Sequence, residues 1–123
     1  MFKMKKYAII AVLLAGCQGS DKPYTWGDAV KELSDSYCVM LSHCYGLSQT
    51  SIDWCSEHSQ FHLCHDADCS QPINQDYQEH VMTGCQAAMD KATPDSVECF
   101  AAYQFGLLPD ECNKVFDQAP ENE

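Results

Sequence analysis

The sequence predicts a small, disulfide-rich all-α domain, with about four helices plus a short C-terminal helix, arranged as two helical hairpins. Three observations carry this expectation. Between residues 26 and 44, apolar side chains recur at 26, 29, 30, 33, 37, 40, 41 and 44, which is a helical stripe. Period-two alternation never persists beyond a few residues, and turn-flanked runs of Val, Ile and Thr are lacking, so there is no material for a sheet. Nine cysteines in 123 residues, eight of them beyond the N-terminal segment, are the inventory of a domain whose core alone is marginal and whose stability rests on bridges.

The first helix, Trp26 to Cys44, stops before Gly46, a residue suited to a left-handed helix end. Thr50-Ser51-Ile52-Asp53 has the form of a capping box and opens a second helix to about His65. Asp66 to Ile73 reads as a connector. The third helix, about Asn74 to Lys91, carries Tyr77, Val81, Cys85, Ala88 and Met89 on one side. Thr93-Pro94-Asp95 combines a capping threonine, a first-turn proline and an acid at the positive helix end, so a fourth helix runs from there to Phe105 and stops at Gly106. Leu108-Pro109-Asp110-Glu111 repeats the signal for a short fifth helix to about Asp117, and residues 118–123 form an acidic tail expected to fray.

Ahead of this domain the chain opens MFKMKKYAIIAVLLAGCQGS, with Lys3, Lys5 and Lys6, an apolar run from Tyr7 to Leu14, and the small pair Ala15-Gly16 before Cys17. That run is too short to cross a hydrocarbon core, which needs about 20 residues. Leu14-Ala15-Gly16-Cys17 closely resembles the lipobox of bacterial lipoproteins, a resemblance that covers residues 1 to 17 only. It implies a signal peptide over residues 1–16, cleavage before Cys17, and lipid on that cysteine through a thioether diacylglycerol and an N-acyl chain such as palmitate. Gln18, rather than aspartate, after the lipidated cysteine implies sorting to the outer membrane of a Gram-negative bacterium. Residues 17–25 would then be the lipidated cysteine and its tether, and residues 26–117 the stapled domain.

Cleavage would remove three of seven lysines and none of eighteen acidic residues, leaving four lysines against eighteen acids, a formal −14. Such a surface repels phosphate, so nucleic acid and anionic lipid headgroups are poor partners, while a cationic protein or peptide is attracted. Acidity that merely keeps an exported domain soluble explains the same count.

An even set of eight cysteines in an exported domain predicts that Cys38, Cys44, Cys55, Cys64, Cys69, Cys85, Cys99 and Cys112 are all bridged. Cys38 and Cys44 are six apart on one helix and rotated by about 240°, so they need separate partners. Folding the second helix back about residues 46 to 50 pairs Cys44 with Cys55 and Cys38 with Cys64. Folding the fourth on the third about Thr93 pairs Cys85 with Cys99 and leaves Cys69 with Cys112. Eight cysteines admit about 105 pairings, of which this is one.

One stretch has the composition of a metal site: HSQFHLCHDADC, residues 58 to 69, with three histidines, two aspartates and two cysteines. On a helix His58, His62 and His65 fall within about 60° of one another, joined by Trp54 and Phe61. Neutral imidazoles at that spacing suit Zn²⁺ or Cu²⁺, with Asp66 or Asp68 completing the shell. The same face is equally a half-buried flank whose rings cover a core edge and whose cysteines are tied to other helices, and this structural reading is the one preferred. Asp66 to Asn74 also resembles an EF-hand loop in part, but Gln71 replaces the turn glycine and Tyr77 the closing glutamate, so a plain connector is preferred. No haem motif, His-Glu-x-x-His, Cys-x-x-Cys, Gly-rich phosphate loop or Gly-x-Ser-x-Gly is present, and no triad is signalled by spacing. The sequence therefore points to a non-enzymatic, lipid-anchored interaction module of the periplasmic or outer envelope, without cofactor; the alternative is a metal-sequestering lipoprotein using the histidine face.

Overall fold

In the computed structural model, residues 22–121 are described, and they form an all-α domain held by four disulfides. The expected signal peptide, Cys17 and the first half of the expected tether lie outside the described residues, as do the last two residues of the tail. The order is α1 (Trp26–Tyr45), α2 (Gln49–Asp66), α3 (Gln75–Met89), α4 (Val97–Phe105) and a 3₁₀ helix (Asp110–Phe116). None of these helices is long and apolar enough to cross a membrane.

α1 is the hub. Its stripe is buried as its spacing demands: Trp26, Ala29, Val30, Leu33, Met40 and Cys44 enter the core, with Tyr37 and Leu41 packed against its edge. The N-terminus closes in a capping box that the sequence reading passed over: Asp28 N–H donates to the Thr25 hydroxyl, and Thr25 N–H to the Asp28 carboxylate at 2.9 Å. The connector after α2 satisfies the next donors, since Trp26 N–H donates to Gln71 O at 2.9 Å and Gly27 N–H to Cys69 O at 2.8 Å. That approach explains the glycine, because a Cβ on Gly27 would stand 2.9 Å from the Cys69 carbonyl oxygen. At the far end Gly46 adopts φ 69° and caps the helix by donating to Ser42 O.

α2 returns along α1 as the expected hairpin. Its cap is Ser48, which accepts from Ser51 N–H, two residues ahead of the capping box expected at Thr50. The second expected hairpin is not formed. α3 packs on the 3₁₀ helix instead, and α4 packs on α1. Ser96, rather than Thr93, caps α4; the Thr93-Pro94-Asp95 signal makes a turn, with Ser96 N–H donating to Thr93 O at 2.9 Å.

The wholly buried Gln78 explains why α3 takes the 3₁₀ helix as partner: its amide donates to Val115 O at 2.9 Å and accepts from Gln118 Nε2 at 3.0 Å. Gln118 also donates to Asn74 O and accepts from Asn74 N–H, so the expected fraying does not start at this residue.

All eight cysteines are bridged as expected, but each of the four expected pairs is corrected. The bonds are Cys38–Cys55, Cys44–Cys99, Cys64–Cys69 and Cys85–Cys112. Antiparallel helices bring together residues equally far from their turn, and with the turn at 46–48 Cys38 falls opposite Cys55, not Cys64. Cys44 sits too near the turn to meet Cys55, and so it holds α4 to the hub through Cys99. Because α3 packs on the 3₁₀ helix, Cys85 reaches Cys112 rather than Cys99. Cys64 and Cys69, five apart, close the reversal that ends α2.

Candidate functional site

α2 has a different inner and outer face. Ile52, Cys55, Ser56, Ser59 and Leu63 are buried or half-buried toward α1, and only Ser56 is fully buried. The seam is polar: the Ser56 hydroxyl donates to the Asp35 carboxylate, and Gln60 Nε2 donates to Ser56 Oγ at 3.0 Å. Lys31 pairs with the same carboxylate at 2.8 Å. Burial pulls the Asp35 carboxyl upward, but the hydrogen bonds from Lys31 and Ser56 and the lysine charge together outweigh it and hold the group below the ordinary aspartate value.

The outer face is an aromatic ladder. The Trp54 indole stacks on His58 with centroids 4.6 Å apart, His58 meets His62 edge-on at 4.4 Å, and Phe61 meets His62 edge-on at 5.6 Å. Trp54 is 64% exposed and Phe61 70%. The expected half-buried flank is therefore corrected: His58, His62 and His65 are exposed, and the His58 and His62 rings contact each other. The cysteines of the stretch are also not tied to other helices, since Cys64 and Cys69 bond to each other.

His58 and His62 are brought side by side, but among the described residues no group of three or more His, Cys, Asp or Glu side chains is gathered to hold an ion. Asp66 is the exposed last residue of α2. Asp68 is engaged in its own turn, accepting from Ser70 N–H at 2.9 Å, Ser70 Oγ at 2.7 Å and Gln71 Nε2 at 3.1 Å. Those bonds, led by the serine hydroxyl, hold its carboxyl below the usual value.

Beside the ladder lies a groove of about 270 Å³. Leu33, Ser34 and Tyr37 of α1 form one wall, His58, His62 and Leu63 of α2 the other, and Leu108 and Phe116 close it. The lining is mostly apolar. Ser34 differs from the other polar lining residues, His58, Ser59 and His62, in being fully buried: it is 1% exposed, and its Oγ has no hydrogen-bond partner. Burial also pushes the Tyr37 phenol above its ordinary pKa, with Tyr45 adding to the effect. Sequence reasoning found the ladder residues but missed the groove, because Leu33 and Tyr37 read as core stripe and no local pattern links them to Leu108 or Phe116, about 70 residues further on. No protein-family model, curated protein or solved structure matches the chain.

Proposed function

We propose that this protein is a lipid-anchored, non-enzymatic module of the bacterial cell envelope that binds a cationic protein or peptide through the outer face of α2. The observation that carries the reading is the exposure of Trp54 and Phe61, two large aromatic rings on one helix face of a strongly acidic chain. A folded domain leaves such rings in water at a cost in apolar exposure, and aromatic clusters are characteristic of interaction surfaces. Charge supports the kind of partner: the chain has no arginine, and a single lysine–carboxylate pair, Lys31–Asp35, forms among the described residues. Lysine and arginine of a partner would be drawn by the acidic surface and would stack on the indole. The anchor rests on the Leu14–Cys17 lipobox.

Tryptophan fluorescence of the full chain titrated with a lysine-rich peptide tests the binding surface. A change at low salt that weakens at high salt and disappears in the Trp54→Ala/Phe61→Ala variant is expected; an equal response to a glutamate-rich peptide would refute the cationic partner. Labelled palmitate should enter the wild type and not Cys17→Ser, and equal labelling of both would remove the anchor. A second reading, zinc or copper sequestration, draws on the adjacent His58 and His62 rings. It requires tight metal binding that is lost in His62→Ala.

A further inference from the structure

We propose that the groove between α1 and α2 is a recognition pocket for a tyrosine side chain of that cationic partner, with the phenol hydrogen-bonded to Ser34. The inference rests on the peptide-binding reading above and gives it a specificity. Three features converge on it. The groove, at about 270 Å³, is just below the range of drug-sized ligand pockets, roughly 300–1,000 Å³, and so suits one large side chain. Leu33, Tyr37, Leu108 and Phe116 make most of its lining apolar, with His58, Ser59 and His62 on the α2 side, and such a lining favours an aromatic ring over a charged group.

The third feature is the Ser34 hydroxyl, buried among those walls and unpartnered. A buried polar atom without a hydrogen bond destabilises a folded chain, and replacing it by an apolar group is ordinarily neutral or favourable. A ligand that supplies the missing bond removes that cost on binding. Tyrosine fits the combination because its polar atom lies at the far end of an apolar ring, and its O–H can donate to or accept from a serine hydroxyl. Phenylalanine would fill the groove and leave Ser34 unpaired. The charge of the whole chain favours cationic flanks beside the tyrosine, with eighteen acidic residues against seven lysines. The ladder starts at the same rim, since His58 and His62 belong to both groove and ladder.

The test is a calorimetric comparison of acetyl-Lys-Tyr-Lys-amide, acetyl-Lys-Phe-Lys-amide and acetyl-Lys-Ala-Lys-amide on the full chain with its disulfides formed, beside Ser34→Ala. Affinity should fall in the order Tyr, Phe, Ala, with Tyr over Phe by roughly three- to tenfold, the value of one net hydrogen bond. Ser34→Ala should melt no lower than wild type and should bring the Tyr peptide down to the Phe peptide. Ser59→Trp, which fills the groove from its half-buried α2 rim, should bring all three down to the Ala peptide. Equal, salt-sensitive binding of all three would overturn the pocket while leaving the cationic partner standing. No binding of any at low salt would overturn the cationic reading itself. A Tyr preference that survives Ser34→Ala would overturn the hydroxyl contact, and equal binding of neutral N-acetyltyrosinamide would show a small-molecule pocket in place of a peptide one.

Discussion

Trp26 on α1 is 1% exposed and lies edge-on to Phe116, 6.1 Å between ring centroids, whereas Trp54 on α2 is 64% exposed and stacks on a histidine of its own helix. The two helices are neighbours of similar length, yet they are retained by different physics. α1 is held by apolar burial along its whole stripe. α2 buries one serine and is held by a polar seam through Asp35 and by the Cys38–Cys55 bond. A helix fixed covalently does not need its large side chains for packing, so its rings can stand in solvent. In a domain of this size, disulfides thus stand in for core and leave large side chains at the surface.

The comparison breaks most sharply at the two tryptophans. Trp26→Ala should cost about 3–5 kcal/mol in denaturant unfolding, the range for emptying a large core site. Trp54→Ala should stay within about 0.5 kcal/mol of wild type, as exposed substitutions do, while abolishing the peptide response. Comparable losses from both would mean that the ladder is structural after all.

The disulfides carry the next largest effect. Removing Cys38–Cys55 as a double alanine variant should cost about 3 kcal/mol by chain entropy, and removing Cys64–Cys69, whose partners are 5 positions apart rather than 17, about 2 kcal/mol. Hydrogen exchange should place the first loss in α2, with α1 and α3 still protected. Uniform deprotection across all helices would show that α2 belongs to the same cooperative core.

Two glycines sharpen the contrast between packed and open helix surface. Gly27→Ala should destabilise by about 1–3 kcal/mol, because the new methyl meets a backbone oxygen and a Cys69 Cβ that cannot both retreat. Gly84→Ala, with nothing within 4 Å of its Cβ position, should stabilise by up to about 1 kcal/mol through helix propensity alone. Thermal melts of the two variants decide the point, and a shift of the same sign in both would contradict it.

Local signals in the sequence were enough for the helices. The stripe on α1, Gly46 and Gly106 at helix ends, and Asn74 ahead of α3 each act within a few residues, and each lies where the pattern requires. Pairing was not legible, since it depends on which helix α3 chooses. That choice is made by a buried glutamine bonded to Val115 and Gln118, a polar residue that a hydrophobic count passes over. The aromatic face of α2 was visible in the spacing of residues 54, 58, 61, 62 and 65, but its exposure was not. Whether rings at that spacing meet a core or water is settled by the opposite stripe, where Ile52, Cys55, Ser56, Ser59 and Leu63 take the contact with α1.

The smallest expected effect concerns the polar seam, and it is read through pH. Asp35 is held below the ordinary carboxylate range in the folded chain by Lys31 and Ser56, against the opposing pull of burial. A depressed folded value means that the seam stabilises the fold above the unfolded pKa of about 4 and that this contribution is lost as pH falls through the lower, folded value. Because the lysine is exposed and the aspartate only half-buried, screening keeps the gain modest. Asp35→Asn should therefore be less stable than wild type at neutral pH, and the gap should close on acidification, since protonated aspartate loses the same charge-assisted bonds. Urea unfolding of both proteins at neutral and strongly acidic pH measures the gap. If it keeps the same width at both, the seam contributes through neutral hydrogen bonding alone, and the charge on Asp35 has no part in seating α2 against α1.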